Sequence, residues 1–531
     1  MDLHGAFHVY DTTLRDGAQQ EGLNLSVADK LNIARHLDGL GVGFIEGGWP
    51  GANPKDTEFF RRAASELDLK HARLAAFGAT RKAGIRAADD PQVAALRDSG
   101  AGVVTLVAKS HDRHVELALR TTLAENLEMI RDTVSHLKAE GQQVFLDAEH
   151  FFDGYRANRD YALEVLRTAY DAGAEVIALC DTNGGMLPPW VSDVVHDVID
   201  TTSVRVGIHC HNDTGCAVAN TLAAVDAGAT HVQGCINGYG ERTGNADLIS
   251  VVANLELKLD RTVLPEGLLR DSTRIAHAVA DVTNFPPASR QPYVGTSAFA
   301  HKAGLHASAI KVDPNLYQHM DPVGVGNDMR LLVSDMAGRA SIELKGKELG
   351  FDLSGDRELV TRVTARVKEL EQRGYTFEAA DASFELLLVE EVEGRRPSYF
   401  ETESWRVITE TLTNRGAGDE AVSEATVKLV AGGVRYVVTG EGNGPVNALD
   451  SALRSAIVQA YPEVAKFELI DYKVRILDQG HGTDAITRVL IETTDGASSW
   501  ITVGVGHNVI EASWGALVDG LTYGLRRHHV E

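Results

Sequence analysis

Short apolar runs that end in polar residues recur through the first half of the chain: FHVYD from Phe7, FIEGGW from Phe44, RLAAFGAT from Arg73, VVTLVAK from Val103, QVFLDAEH from Gln143, VIALCDT from Val176, VRVGIHCHND from Val204 and HVQGCINGYG from His231. Runs this short and this apolar predict strands buried on both faces, as in a parallel sheet covered by helices. Between them lie stretches with helical spacing, such as SVADKLNIARHLDGLG from Ser26 and ENLEMIRDTVSHLKAEG from Glu125, each closing on a glycine that suits a left-handed helix stop. Eight strand–helix units in about 250 residues predict an α/β fold, a closed (β/α)8 TIM barrel over residues 1–265, with a doubly wound open sheet as the alternative. Polar residues gather where the runs end, at Asp11, Glu46, Lys109, Glu149, Asp181, His209, His211 and Asn237. Any one of these could simply terminate a strand. All eight together predict a site on the rim where the C-terminal strand ends of a barrel converge.

After the barrel the pattern breaks into shorter helical pieces and a Pro/Gly-punctuated passage, NFPPASRQPYVGTSAFAHKAGLHASAI, which predicts helical and loop-rich connecting subdomains over 266–395. Within them ELVTRVTARVKELEQRGY, from Glu358, carries an apolar stripe at Val360, Val363, Val367 and Leu370 and predicts a helix. A separate domain over 396–531 begins near Ser398. It contains a repeat: TGEGNGPVNALDSAL from Thr439 aligns with VGVGHNVIEASWGAL from Val503, pairing Gly440 with Gly504, Gly442 with Gly506, Ala448 with Ala512 and Leu453 with Leu517. Each copy follows alternating strands and opens an amphipathic helix, which predicts an α+β module built from two βββα-type halves. Such a module binds a small effector between its halves or pairs subunits. Helix starts at Gly442–Pro445 and at Gly506–Val509 offer backbone N–H groups to a carboxylate, or simply permit tight strand-to-helix turns.

Length and composition narrow the function. With 531 residues, 44% hydrophobic and 24% charged, the chain is of ordinary globular make-up and long enough for about three domains. A net charge of −24 argues against general attraction to nucleic acid or anionic lipid. The four cysteines, Cys180, Cys210, Cys216 and Cys235, show no CxxC spacing, so neither a zinc ribbon nor a disulfide framework is expected and a reducing cytoplasm fits. No basic-then-apolar leader opens the sequence and no run reaches about 18 apolar residues, so neither secretion nor membrane insertion is expected.

Candidate chemistry centres on the rim. His209 and His211 are two apart on a strand and project on one face, where both imidazoles can grip one metal ion. Asp16, just past the first strand, is brought near them by barrel closure, since only strand eight separates strands one and seven. Two imidazoles and a carboxylate with open positions suit a catalytic divalent cation, with Mg, Mn, Zn and Co all compatible. The adjacent Arg15 can fork onto a carboxylate or enolate oxygen.

The segments DTTLRDGAQ (Asp11–Gln19), GIHCHND (Gly207–Asp213) and NGYGERTGN (Asn237–Asn245) resemble the DRE-TIM metallolyase family of acyl-CoA condensing enzymes, which includes the 2-isopropylmalate, homocitrate and citramalate synthases. IEGGWPGANPKD from Ile45, CDTNGG from Cys180 and GYGER from Gly238 resemble the citramalate synthase branch most. The resemblance implies a metal held by Asp16, His209 and His211 with Asn245 beside it, and an enolate stabilised by Arg15. Thr182 would bind the carboxylate of a 2-oxo acid, with Glu46 also facing substrate, and Glu149 would position or deprotonate. GLHASAI (Gly304–Ile310) and Tyr317 resemble a segment that reaches over the active site in these synthases, commonly from the partner subunit, which makes His306 and Tyr317 catalytic candidates. The implied reaction is a Claisen condensation of acetyl-CoA with a 2-oxo acid followed by thioester hydrolysis, with pyruvate the first acceptor to consider and 2-oxoisovalerate the alternative. A lyase or aldolase on the same barrel and a non-catalytic amino-acid sensor are more remote readings. The repeated module resembles the dimer-forming regulatory domain of these enzymes, which implies a homodimer and an amino-acid effector, isoleucine before leucine, received near Gly442, Gly444, Gly506 and Asn508.

Overall fold

The protein is described here by a computed structural model over residues 7–334, 336, 338–410, 422–477 and 485–530. The first six residues, on which the expectation of no leader partly rests, lie outside the described residues. The chain divides into two compact units, one of residues 1–299 with 320–328 and the other of residues 300–319 with 329–531.

The first unit is a closed barrel of eight parallel strands in sequential order: β1 (His8–Asp11), β2 (Phe44–Gly48), β3 (Arg73–Ala79), β4 (Val103–Lys109), β5 (Gln143–Glu149), β6 (Val176–Asp181), β7 (Val206–Cys210) and β8 (His231–Gly234). Closure is made by β8 on β1, with His8 opposite His231 and Tyr10 opposite Gln233. All eight predicted runs are strands. The last two stop earlier than the runs, so His211 lies just past β7, tied by an isolated bridge to Asn245.

The predicted helix stops are present. Helix α1 (Val27–Leu40) starts at a capping box in which Ser26 accepts from Asp29 N while Asp29 reaches back to Ser26 N, and it ends at Gly41 with φ 88°. Helix α2 (Leu123–Ala139) is capped by Thr122. Residues 266–299, expected in the connecting stretch, pack with the barrel, where Ile275, Ala276, Val279 and Val294 are buried in its main core.

Strand alternation fixes what the barrel holds inside. Tyr10, Phe44, Ala75, Val103, Phe145 and Val176 form their own buried cluster, the lower interior layer. The next inward positions along the same strands bring Glu46, Phe77, Thr105 and Asp147 into the layer above.

In the second unit, helix α3 (Arg357–Gln372) buries Val360, Val363 and Val367 along the predicted stripe. Two antiparallel three-stranded sheets follow. One comprises β9 (Phe400–Glu410), β10 (Val422–Ala431) and β11 (Val434–Gly442) with helix α4 (Pro445–Ile457); the other comprises β12 (Glu468–Ile476), β13 (Thr487–Thr494) and β14 (Ser499–Gly506) with helix α5 (Val509–Val530). The repeat is therefore βββα in both copies. Its aligned positions Ala448 and Ala512, Leu453 and Leu517 are buried in one core. Gly440 and Gly504 have a shared reason: a Cβ would lie 2.5 Å from Ala452 N in the first copy and 1.9 Å from Ala512 O in the second, so only glycine lets the helix lie on the strand. No helix among the described residues is long and apolar enough to cross a membrane.

Candidate active site

A cavity of about 630 Å³ opens among the C-terminal strand ends of the barrel. Its wall includes Arg15, Asp16, Asp147, Glu149, Thr182, His209 and His211, so strands remote in sequence contribute to one site. Ligand atoms of Asp16, His209 and His211 all lie within 4.8 Å of one another, and all three residues are buried. Asp16 Oδ2 is 3.1 Å from His209 Nε2 and 3.8 Å from His211 Nε2, and the two Nε2 atoms are 3.3 Å apart. Such a convergence of lone pairs fits a divalent cation. A buried polar atom strengthens the fit: Asn245 Oδ1 has no hydrogen-bond partner among the described residues.

Asn245 is aimed by its own loop. Its Nδ2 donates to Tyr239 O at 3.0 Å, which turns Oδ1 the other way. Gly240, at φ 148°, makes room, because a Cβ there would sit 2.3 Å from Asn245 Nδ2. Within the same motif Arg242 forks onto Asp213 at 2.8 and 2.9 Å and donates to Thr182 O at 2.9 Å, tying together the loops after β6, β7 and β8.

Arg15 is held on three sides. Its Nε donates to Glu46 Oε2 at 2.6 Å, its Nη1 is 3.6 Å from Asp16, and its guanidinium lies 3.9 Å above the Phe77 ring. Burial pushes the Asp16 carboxyl up, but the Arg15 charge, followed by the His209 hydrogen bond and charge, holds it well below the usual carboxylate range. Burial, then His209, depresses His211 to about 4, which leaves its ring neutral and ready to donate a lone pair. Burial, then the nearby Glu46 charge, raises Asp147 to about 6.

The other expected residues divide. Glu149 lines the cavity and pairs with Lys109. Thr182 lines it too, and its Oγ1 accepts from His150 N at 2.8 Å. Glu46 does not reach the cavity wall: it is fully buried beneath it, accepting from Tyr10 at 2.8 Å as well as from Arg15, so it touches Arg15 and no open space. Of the eight run-end residues, Asp11, Asp181 and Asn237 tie loops rather than line the cavity: Asp11 accepts from Thr13, Asp181 from Gly185 N and Met186 N, and Asn237 donates to Ala276 O. His306 and Tyr317 belong to the second unit, where their rings stack 4.1 Å apart. Gly442, Gly444, Gly506 and Asn508 also lie there. Asn508 caps α5, accepting from Glu511 N at 2.9 Å. Asp147, Gln233, Phe77 and Arg242 were not singled out from sequence, although strand alternation places the first of them on the same face as Glu149, two residues earlier.

A closed parallel barrel with a carboxylate–imidazole cluster at its C-terminal rim defines an enzyme of the (β/α)8 class with a place for a cation. A model of the HMGL-like family matches residues 6–279, one described as homocitrate synthase post-HMGL domain-like matches 293–375, and one described as the LeuA allosteric (dimerisation) domain matches 378–525. The chain belongs to the HMGL-like family, as the three motif segments implied. It is 70% identical to an (R)-citramalate synthase of Streptomyces coelicolor, across 99% of this chain and 98% of that one. It is 48% identical to an (R)-citramalate synthase of Synechocystis, across 98% and 96%. A probable 2-isopropylmalate synthase of Methanopyrus kandleri is more distant, at 33% identity across 98% of both chains.

Proposed function

We propose that this chain catalyses (R)-citramalate synthesis, condensing acetyl-CoA with pyruvate and hydrolysing the thioester to give citramalate and CoA for isoleucine biosynthesis. The observation that carries the reading is near-full-length identity of 70% to an (R)-citramalate synthase. On this reading residues 1–265 are the catalytic barrel, 266–395 connect, with 266–299 packed onto the barrel, and 396–531 regulate and dimerise.

Asp16, His209 and His211 would hold a divalent cation, Mg, Mn, Zn or Co, with Asn245 Oδ1 as a further contact. When bound, the cation supplies Lewis-acid polarisation of the acceptor's ketone oxygen. The chain's own residues do the rest. Glu46 and Phe77 fix the Arg15 guanidinium so that its remaining N–H donors stay aimed at the developing oxyanion. Thr182 accepts from His150 N through its oxygen and keeps its own hydrogen to donate to the acceptor's carboxylate. Glu149, anchored by Lys109 at the cavity wall, takes the methyl proton of acetyl-CoA. His306 relays a proton and Tyr317 supports it, an assignment that rests on family resemblance and on their stacking. Water then cleaves the thioester.

The regulatory reading is feedback inhibition of a homodimer by isoleucine, with leucine as competitor, received at the helix starts around Gly442, Gly444, Gly506 and Asn508. Inhibition by leucine and not by isoleucine would reassign the effector. The substrate test is release of CoA thiol from acetyl-CoA with Mg or Mn present, pyruvate and 2-oxoisovalerate run in parallel and the acid product identified. Pyruvate is expected to be preferred. Preference for 2-oxoisovalerate would move the chain to leucine synthesis, and no thiol release with either would refute the condensation.

A further inference from the structure

Below the cation cluster a row of buried polar side chains runs down the barrel axis, and the reading above gives it no task. His209 Nδ1 is 2.9 Å from Gln233 Oε1. Gln233 Nε2 donates to Asp147 Oδ1 at 2.8 Å and lies 3.3 Å from His231 Nε2, whose Nδ1 is 3.4 Å from His8 Nδ1. His209 and Gln233 are direct register partners on β7 and β8, and Gln233 is 1% exposed.

The row has a direction, set at one end. An ionised carboxylate only accepts, so the Gln233 amide must turn its nitrogen to Asp147. Its carbonyl oxygen is then forced toward His209. That oxygen also only accepts, so the proton of His209 stays on Nδ1, and Nε2 is the atom left to face Asp16 and His211. The second amide hydrogen meets His231 Nε2, which fixes that ring as an acceptor on the same edge.

We propose that Gln233 is a positioning residue of the metal centre: an amide relay through which Asp147 fixes the proton and the ring plane of His209, so that Nε2 is presented as a metal ligand. The inference rests on the reading that Asp16, His209 and His211 hold a cation. Partners of this kind beneath a ligating histidine are worth about 10–100-fold in metal affinity.

The test is Mn(II) binding to the full-length protein, followed by the loss of the free-ion EPR signal, with unfolding midpoints measured alongside. Gln233→Leu is expected to weaken Mn(II) binding by about 10–100-fold. The double variant Asp147→Asn/Gln233→Glu exchanges amide and carboxylate, so the amide introduced on β5 would donate to a carboxylate on β8 that still accepts from His209; binding within about threefold of the parent protein is expected. Parent-like affinity in Gln233→Leu overturns the proposal, even if the unfolding midpoint falls, because that is the result of a merely structural role. If Gln233→Leu does not fold, the exchanged pair decides: loss of affinity on the order of tenfold or more overturns the relay. His209→Ala separates the two readings. Mn(II) binding that is absent in the parent protein, or unchanged in His209→Ala, refutes the cation site itself and the relay with it.

Discussion

The lower and upper halves of the barrel interior are built on the same strands with the same alternation, yet the lower is filled mainly by rings, those of His8 and His231 among them, and the upper gathers the carboxylates. Phe44 and Phe145 below are followed, two residues on, by Glu46 and Asp147 above. In the lower half the side chains meet ring against ring, Phe44 and Phe145 edge-on at 5.3 Å. In the upper half nearly every polar group is answered by a specific partner: Glu46 by Arg15 and Tyr10, Asp147 by Gln233, His209 by Gln233 and Asp16. Burying charges so close together is tolerated because each is hydrogen-bonded and removing one partner strands the other. The contrast separates what holds the barrel closed from what makes it act.

Substitutions in the two halves should therefore fail differently. The largest effect is expected in the lower layer, where Phe145→Ala opens a cavity and costs about 3–5 kcal/mol of stability, read from urea unfolding; a loss under about 1 kcal/mol would mean that the layer does not carry the fold. In the upper half, Asp16→Asn should cost about a thousandfold in kcat/KM, about 4 kcal/mol of barrier, with Mn(II) binding lost and the unfolding midpoint little changed. Retained metal with lost activity would move Asp16 from ligand to acid–base group.

Arg15→Lys keeps the charge but loses the fork to Glu46 and the contact with Phe77. A fall of about a hundredfold in kcat is expected, and full activity would show that charge alone suffices. The smallest effect belongs to the rim. His150, at φ 57° and with its ring tilted 34° to that of His114 at 4.0 Å, is depressed to about 4 by burial and then by His114. Between about pH 6.5 and 4 the unfolded chain binds a proton that the folded one refuses, so this group's stabilisation is complete above 6.5 and is lost as pH falls through that window. His150→Gln should thus lose less stability on acidification than the parent protein, and equal losses would remove His150 from the account.

How much of this could be read beforehand follows from the same geometry. Near-continuous apolar runs revealed eight strands because both strand faces are buried, and Gly41 and Gly141, both at φ 88°, marked helix ends. Asp16, His209 and His211 stand at run ends, where polarity is conspicuous, and the structure brings them together. Asp147 and Gln233 were hidden because they sit inside runs that read as apolar, one inward step below the rim; their meaning appears only when β5 and β8 face each other across a closed barrel. Glu46 was visible, but its depth was not. Asp11, Asp181 and Asn237 show the converse, since a polar residue at a strand end serves equally well to tie the next turn. His306 and Tyr317 carried no local signal beyond resemblance, because the segment holding them has neither strand nor long-helix periodicity.

Trp49 stands in the cavity wall with its ring edge-on to Phe77 at 5.5 Å, and Phe77 in turn lies under the Arg15 guanidinium. Its indole N–H is buried with no acceptor among the described residues. An indole so placed feels any change of charge around Arg15, and the chain has only five tryptophans. The cavity thus carries its own optical label. Its emission should shift in colour when an anionic acceptor arrives, giving a direct view of occupancy before any bond is made or broken.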